Sequence, residues 1–127
     1  KLRLPLPGGA SAEQIRDLAQ SWLQARAKED FLPRCQHFAQ MLGVSMKMLR
    51  LSSAQTRWGS ASADGSIRLN WRLIHFAPAI IDYVVAHELA HLREMNHSPA
   101  FWDTVRSVLP DFERSRDALR EESIVVQ

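Results

Sequence analysis

Three histidines and a glutamate within eleven residues set the tightest constraint on how this chain can fold. His87-Glu88-Leu89-Ala90-His91 reads H-E-x-x-H, and His97 follows six residues after the second histidine. On an α-helix, residues four apart lie one above the other on one face, so His87 and His91 can aim imidazole nitrogens at one point. His97 is too far along a straight helix to join them. The helix must therefore end near residues 94–96 and the chain must turn back. The local sequence permits this, because Asn96 tolerates the left-handed conformation and Ser98-Pro99 reads as the N-cap and first residue of a new helix.

Such a cluster reads as a catalytic zinc site. Imidazole binds zinc at about 2.0–2.1 Å, and three protein ligands with one solvent position distinguish catalytic zinc from the four-ligand structural kind. Glu88 follows the first ligand directly, which turns its carboxylate from the shared ligand direction yet keeps it near the open face, where a base for water is needed. Glu94 is a rival third ligand, seven residues from His87. At ~1.5 Å rise per residue it sits roughly 10 Å further along the axis, which favours a supporting role. A chance H-E-x-x-H on a surface helix is the plain alternative. Against it, Ile80, Ile81, Val84, Val85, Leu89 and Leu92 are apolar on several sides, so the helix is buried, and buried histidines beside a glutamate require partners.

At 127 residues the chain fits one domain with one core. A single cysteine, Cys35, cannot form an internal disulfide, and no apolar run approaches the roughly 20 residues of a membrane span. Residues 1–10 alternate leucine with arginine and proline and lack the apolar stretch of a secretion signal, so a cytoplasmic protein is the expectation. They look like a linker or the remnant of a strand, as if the chain were the C-terminal part of a longer one. The net charge of +2 comes from 13 arginines and three lysines spread along the chain, which does not point to nucleic acid; a solvated surface is the plain reading, and attraction of an anionic substrate the alternative.

Ser11 with Gln14 makes a capping-box pattern, and Ile15, Leu18, Ala19, Trp22 and Leu23 recur at helical spacing, predicting an amphipathic helix over 12–29. Pro33 opens a second helix with Cys35, Phe38, Met41 and Leu42 inward, closed by Gly43. Alternation predicts strands over 46–53 and 67–70, paired antiparallel, with Asp64-Gly65 as a tight turn and room for a third strand within 53–62. Pro78 starts the metal helix, predicted to reach about residue 94, and further helices follow at 99–108 and 111–121. The layout is α+β, without repeats or low-complexity tracts.

Three segments then carry a resemblance: Thr56-Arg57-Trp58-Gly59-Ser60; Ile67-Arg68-Leu69-Asn70-Trp71-Arg72-Leu73; and Tyr83 through His91, continued by Asn96-His97-Ser98-Pro99-Ala100-Phe101-Trp102. In this order they resemble the YgjP-like metallopeptidase family, related to SprT-like and other small gluzincin-like zinc proteases, over roughly residues 12–123. The resemblance implies a minimal zincin fold, a small antiparallel sheet packed on helices, with zinc held by His87, His91 and His97 and Glu88 as the catalytic glutamate. Where many relatives have cysteine after the R-W-G-S serine, this chain has Ala61, which removes a redox or metal role there. Similar full-length proteins carry an extra β-rich N-terminal segment. The metzincin pattern is excluded, since Glu94 stands at its glycine and no methionine follows Met95. Asp103, Asp111 and Glu113, the acidic residues downstream where thermolysin-type enzymes find a third ligand, are less well placed than His97.

The reaction expected is peptide-bond hydrolysis of a polypeptide substrate, with Glu88 taking a proton from zinc-activated water and passing it to the leaving amine. For the developing oxyanion, Tyr83, Arg57 and His75 are candidates, with packing the plainer role for Tyr83. Trp58 and Trp71 can line a cleft or anchor the core. Gly59 permits a bulge or close backbone approach, and residues 57–60 are candidates for an edge that pairs with an extended peptide. A second class is phosphoanhydride hydrolysis of a nucleoside triphosphate, with Arg57, Arg72 or Arg93 holding phosphates, although no glycine-rich phosphate loop is present. A third is an adaptor with structural zinc, which has no use for Glu88.

Overall fold

The structure is a computed structural model that describes residues 11–121 and the backbone of Val125–Val126. Residues 1–10, read above as a linker or strand remnant, lie outside the described residues. The order is α1 (Ala12–Leu42), β1 (Met48–Ser52), β2 (Arg57–Ala61), β3 (Ser66–Asn70), a 3-10 helix (Trp71–His75), α2 (Pro78–Ala90), α3 (Pro99–Val108), α4 (Phe112–Arg120) and β4 (Val125–Val126). No described helix is long and apolar enough to cross a membrane.

The two helices expected on either side of Pro33 are one. A proline inside a helix loses a hydrogen bond and crowds the preceding turn, at a cost of about 3 kcal/mol. Here the buried face runs unbroken past it, through Ala27, Phe31, Cys35, Phe38, Ala39 and Leu42, while Pro33 itself is exposed. Each large apolar side chain so buried contributes roughly 1.5–3 kcal/mol, enough together to hold the two halves in line. Arg34 adds a tie, donating from Nε to Asp30 at 2.9 Å and from a terminal nitrogen to Asp82 of α2 at 2.6 Å. The ends follow the sequence: Ser11 and Gln14 form the capping box, and Gly43 closes the helix at φ 68°.

The sheet has the order β1-β3-β2-β4. It is mixed rather than purely antiparallel. Asp64-Gly65 joins β2 to β3, with Gly65 at φ 98° and Ser62 N–H donating to the Ser66 carbonyl at 2.9 Å, so these two strands run antiparallel. β1 falls on the far side of β3 and pairs with it parallel, Leu49 opposite Ile67 and Leu51 opposite Leu69. On these strands Leu49, Ile67 and Leu69 are buried while Met48, Arg50 and Arg68 are exposed, the period-two pattern of a half-buried sheet. The edge of β2 expected to be open pairs with β4.

Asn70, with no exposed surface, locks the end of β3 to the start of β2. Its Nδ2 donates to the carbonyls of Ala54 at 2.9 Å and Arg57 at 3.3 Å, and its Oδ1 accepts from the Arg72 N–H at 3.0 Å. Against the inner face lies α2, which also touches α1, α3 and α4. From Tyr83 to Ala90 every residue of it is buried.

Candidate metal centre

The helix that carries the first two histidines stops sooner than expected. α2 ends at Ala90, His91 caps it in right-handed helical conformation, and both Arg93 and Glu94 return their N–H groups to the Ala90 carbonyl at 3.0 Å. This tight turn brings His97 back without any left-handed residue at Asn96, whose expected role falls away because no described non-glycine residue has positive φ. Beyond it the chain follows the expectation, with Ser98 Oγ accepting from the Phe101 N–H at 3.3 Å and Pro99 opening α3.

His87, His91 and His97 each place one ligand atom within 4.8 Å of the other two. Nε2 of His87 and Nε2 of His97 lie 3.2 Å apart. Two nitrogens bound at about 2.0–2.1 Å to one tetrahedral ion stand roughly 3.3 Å apart, so the pair already has nearly the spacing of a coordination edge. The Nδ1 atoms of the two helix histidines are engaged: the Tyr83 hydroxyl lies 3.3 Å from His87 Nδ1, and the Glu94 carbonyl lies 3.1 Å from His91 Nδ1. Outer hydrogen bonds of this kind fix the tautomer that offers Nε2 to a metal. Glu94 thus supports His91 through its backbone rather than ligating with its carboxylate. The residues fit a metal.

Phe101 and Trp102 enclose the histidines. His91 stacks on Phe101, with centroids 4.5 Å apart, His87 meets Phe101 edge-on at 4.9 Å, and His97 stacks on Trp102 at 5.8 Å. Such contacts restrict ring rotation and exclude water from one side of the cluster. Sequence reading did not single out these two aromatics for a site role; their position just inside α3, immediately after the third histidine, was the available signal.

Glu88 has no exposed surface, and among the described residues neither carboxylate oxygen has a hydrogen-bond partner. Burial raises its pKa well above the ordinary glutamate value, and the positive charge of Arg57 opposes that rise. A buried carboxylate without a donor is costly unless a ligand completes it. Strand β2 crosses directly over it at Gly59. A Cβ added there would lie 2.9 Å from Glu88 Cγ, 3.0 Å from its Oε2 and 3.2 Å from the Arg68 carbonyl, so only glycine lets strand and carboxylate approach this closely.

The remaining candidates divide. Arg57 and Ser60 line a cavity of about 490 Å³ together with His91 and His97. Trp58 does not line it: it is 4% exposed and packs edge-on against Phe76. Tyr83, 2% exposed and stacked on Phe112, lies against His87 and does not border that cavity. Trp71 is a core anchor whose Nε1 donates to Ser53 Oγ at 2.9 Å, and exposed His75 lies beside it. Arg72 covers the Trp71 ring, and Arg93 borders a separate cavity with Gly43 and Asp64. Arg68 and Met95, not considered from sequence, complete the wall around His91 and His97.

Comparison with known proteins agrees with this geometry. The chain is similar to the metallopeptidase zymogen abylysin of Pyrococcus abyssi, with a TM-score of 0.69 and 22% identity over 76% of this chain and 99% of that one. It is also similar to the metallopeptidase zymogen jannalysin of Methanocaldococcus jannaschii, with a TM-score of 0.64 and 17% identity over 74% of this chain and 97% of that one. At such identities the likeness is one of fold. No curated protein sequence matches the chain. Residues 2–122 match the sequence pattern described as YgjP-like, metallopeptidase domain, and the chain therefore belongs to the YgjP-like metallopeptidase family.

Proposed function

We propose that the metal of this metallopeptidase is zinc, held through Nε2 of His87, His91 and His97, and that the chain works as a single-domain cytoplasmic endopeptidase with Glu88 as general base. One observation carries the reading: three imidazole nitrogens converge beside a buried carboxylate whose oxygens have no donor among the described residues. An all-nitrogen set of three suits zinc, and zinc held this way supplies Lewis acidity that polarises the scissile carbonyl and lowers the pKa of water toward ~7.

Glu88 takes a proton from the attacking water at one carboxylate oxygen and delivers it to the amide nitrogen as the C–N bond breaks. Gly59 holds the strand above it close enough to fix that carboxylate. Tyr83 accepts from His87 Nδ1–H and keeps Nε2 directed at the metal. Of the residues considered for the oxyanion, Arg57 alone borders the cavity that contains His91 and His97, and it takes that role here. Extended pairing of substrate along β2 requires Val125–Val126 to leave its edge, so substrate binding is read from the cavity instead.

Buried Cys35, whose thiol burial pushes up to about 12, is inert and suits a reducing compartment. The nucleoside triphosphate alternative gains no support from the family, and the arginines it needs are scattered. To test the proposal, the zinc-loaded protein is incubated with a panel of unfolded proteins beside Glu88→Gln. The expected result is cleavage by the first, at least 100-fold slower cleavage by the second, and one equivalent of zinc in both. Equal cleavage by Glu88→Gln would remove the mechanism.

A further inference from the structure

The cavity beside the metal centre is walled by Arg57, Ser60 and Arg68 on the strand side and by His91, Met95 and His97 on the helix side. Arg57 and Arg68 are both exposed, and neither has a carboxylate within 4.0 Å among the described residues. No acidic residue is part of the described lining. Like charge crowds the same face of the sheet, since Arg50 stands in register beside Arg68 on the neighbouring strand. Unpaired cations held next to one another repel, and an anion relieves that repulsion. Met95, 50% exposed, adds an apolar flank suited to methylene groups.

We infer that this cavity is an anion-selecting subsite of the peptidase, taking a glutamate or aspartate side chain of the substrate close to the scissile bond. The assignment rests on the peptidase reading, because two of the proposed metal ligands form part of the wall and so make the occupant contiguous with the reacting carbonyl. A guanidinium presents parallel N–H donors that match a carboxylate, and two of them also repel a lysine at the same position. Arg68, on the central strand pair and opposite Ser60, is the residue that selects. Arg57 also faces Glu88, so its replacement mixes selection with chemistry.

The test uses the zinc-loaded protein and a fluorogenic peptide series in which glutamate, glutamine and lysine are scanned through the positions flanking the cleaved bond. At one position glutamate should exceed glutamine in kcat/KM by about tenfold, the size of one charge-assisted contact, and the ratio should shrink as salt is raised. Arg68→Gln should reduce that ratio to roughly two- to threefold, Arg68→Lys should restore part of it, and Arg68→Glu should favour lysine. Arg93→Gln, at the separate cavity, should leave the ratio unchanged. Equal rates for glutamate and glutamine at every position, or a ratio indifferent to Arg68→Gln, would overturn the assignment. Should no peptide be cleaved, anisotropy binding of the same labelled peptides decides: glutamate-selective binding lost in Arg68→Gln keeps the subsite and counts against the peptidase reading, and unselective binding overturns the subsite.

Discussion

Two helices of this molecule are rich in apolar residues and meet opposite fates. In the first half of α1, Ile15, Leu18 and Trp22 remain 40%, 36% and 41% exposed, although they form a regular stripe. In α2 there is no stripe, because apolar residues occur all round, and every side chain from Tyr83 to Ala90 is buried, a glutamate and a histidine included. Periodicity identifies a face but not what will cover it. A helix apolar on all sides must be enclosed, and polar residues enclosed with it must find partners, which is why α2 carries the chemistry.

That contrast can be broken by truncation. Leu89→Ala, at 0% exposure in α2, should cost roughly 3 kcal/mol, and Leu18→Ala in α1 less than about 1 kcal/mol. Urea denaturation of the two variants measures both; similar losses would show that the stripe on α1 is covered after all.

A second change sharpens the role of enclosure around the Glu88 carboxylate. Gly59→Ala puts a methyl where Glu88 Cγ lies 2.9 Å away, so the carboxylate must move. The expected result is a loss of about tenfold or more in kcat with zinc content unchanged, since small displacements of a reacting group lower the rate steeply. Loss of zinc and activity together would instead mean that Gly59 serves folding.

The smallest effect concerns the charge that α2 buries. In metal-free protein, burial raises the Glu88 pKa, so the folded state holds a proton that the unfolded state releases. This contribution to stability is complete below the ordinary glutamate pKa and is lost as pH rises toward the folded value. Metal-free Glu88→Gln should therefore melt higher than the parent at pH 7, at roughly 3–5 °C for each kcal/mol recovered, and the gap should close below about pH 4. A gap that widens on acidification would contradict the burial argument. Thermal melts in chelator across that range provide the check.

The sequence made the metal centre legible because its determinants are local. The i, i+4 histidines, the adjacent glutamate, and Ser98-Pro99 restarting a helix all act within the thirteen residues from His87 to Pro99, and the capping box at Ser11 and the closing Gly43 read equally well. What stayed hidden was set by distant partners. Pro33 is tolerated because Phe31, Cys35 and Phe38 pack on either side of it. β1 takes the far side of β3 because β2, closed by the Gly65 turn, already holds the other edge. Arg68 reaches the site through its register with Ser60, a pairing across strands that local sequence does not reveal.

The central claim is a metal held by His87, His91 and His97 with an exchangeable solvent position. X-ray absorption at the zinc edge, on the loaded protein and on His97→Ala, tests it most directly. The account predicts one equivalent of zinc with three imidazole nitrogens and one further light atom at about 2.0–2.1 Å, and a fall in affinity of at least 100-fold in His97→Ala. Four protein ligands around zinc, or unchanged affinity without His97, would contradict it.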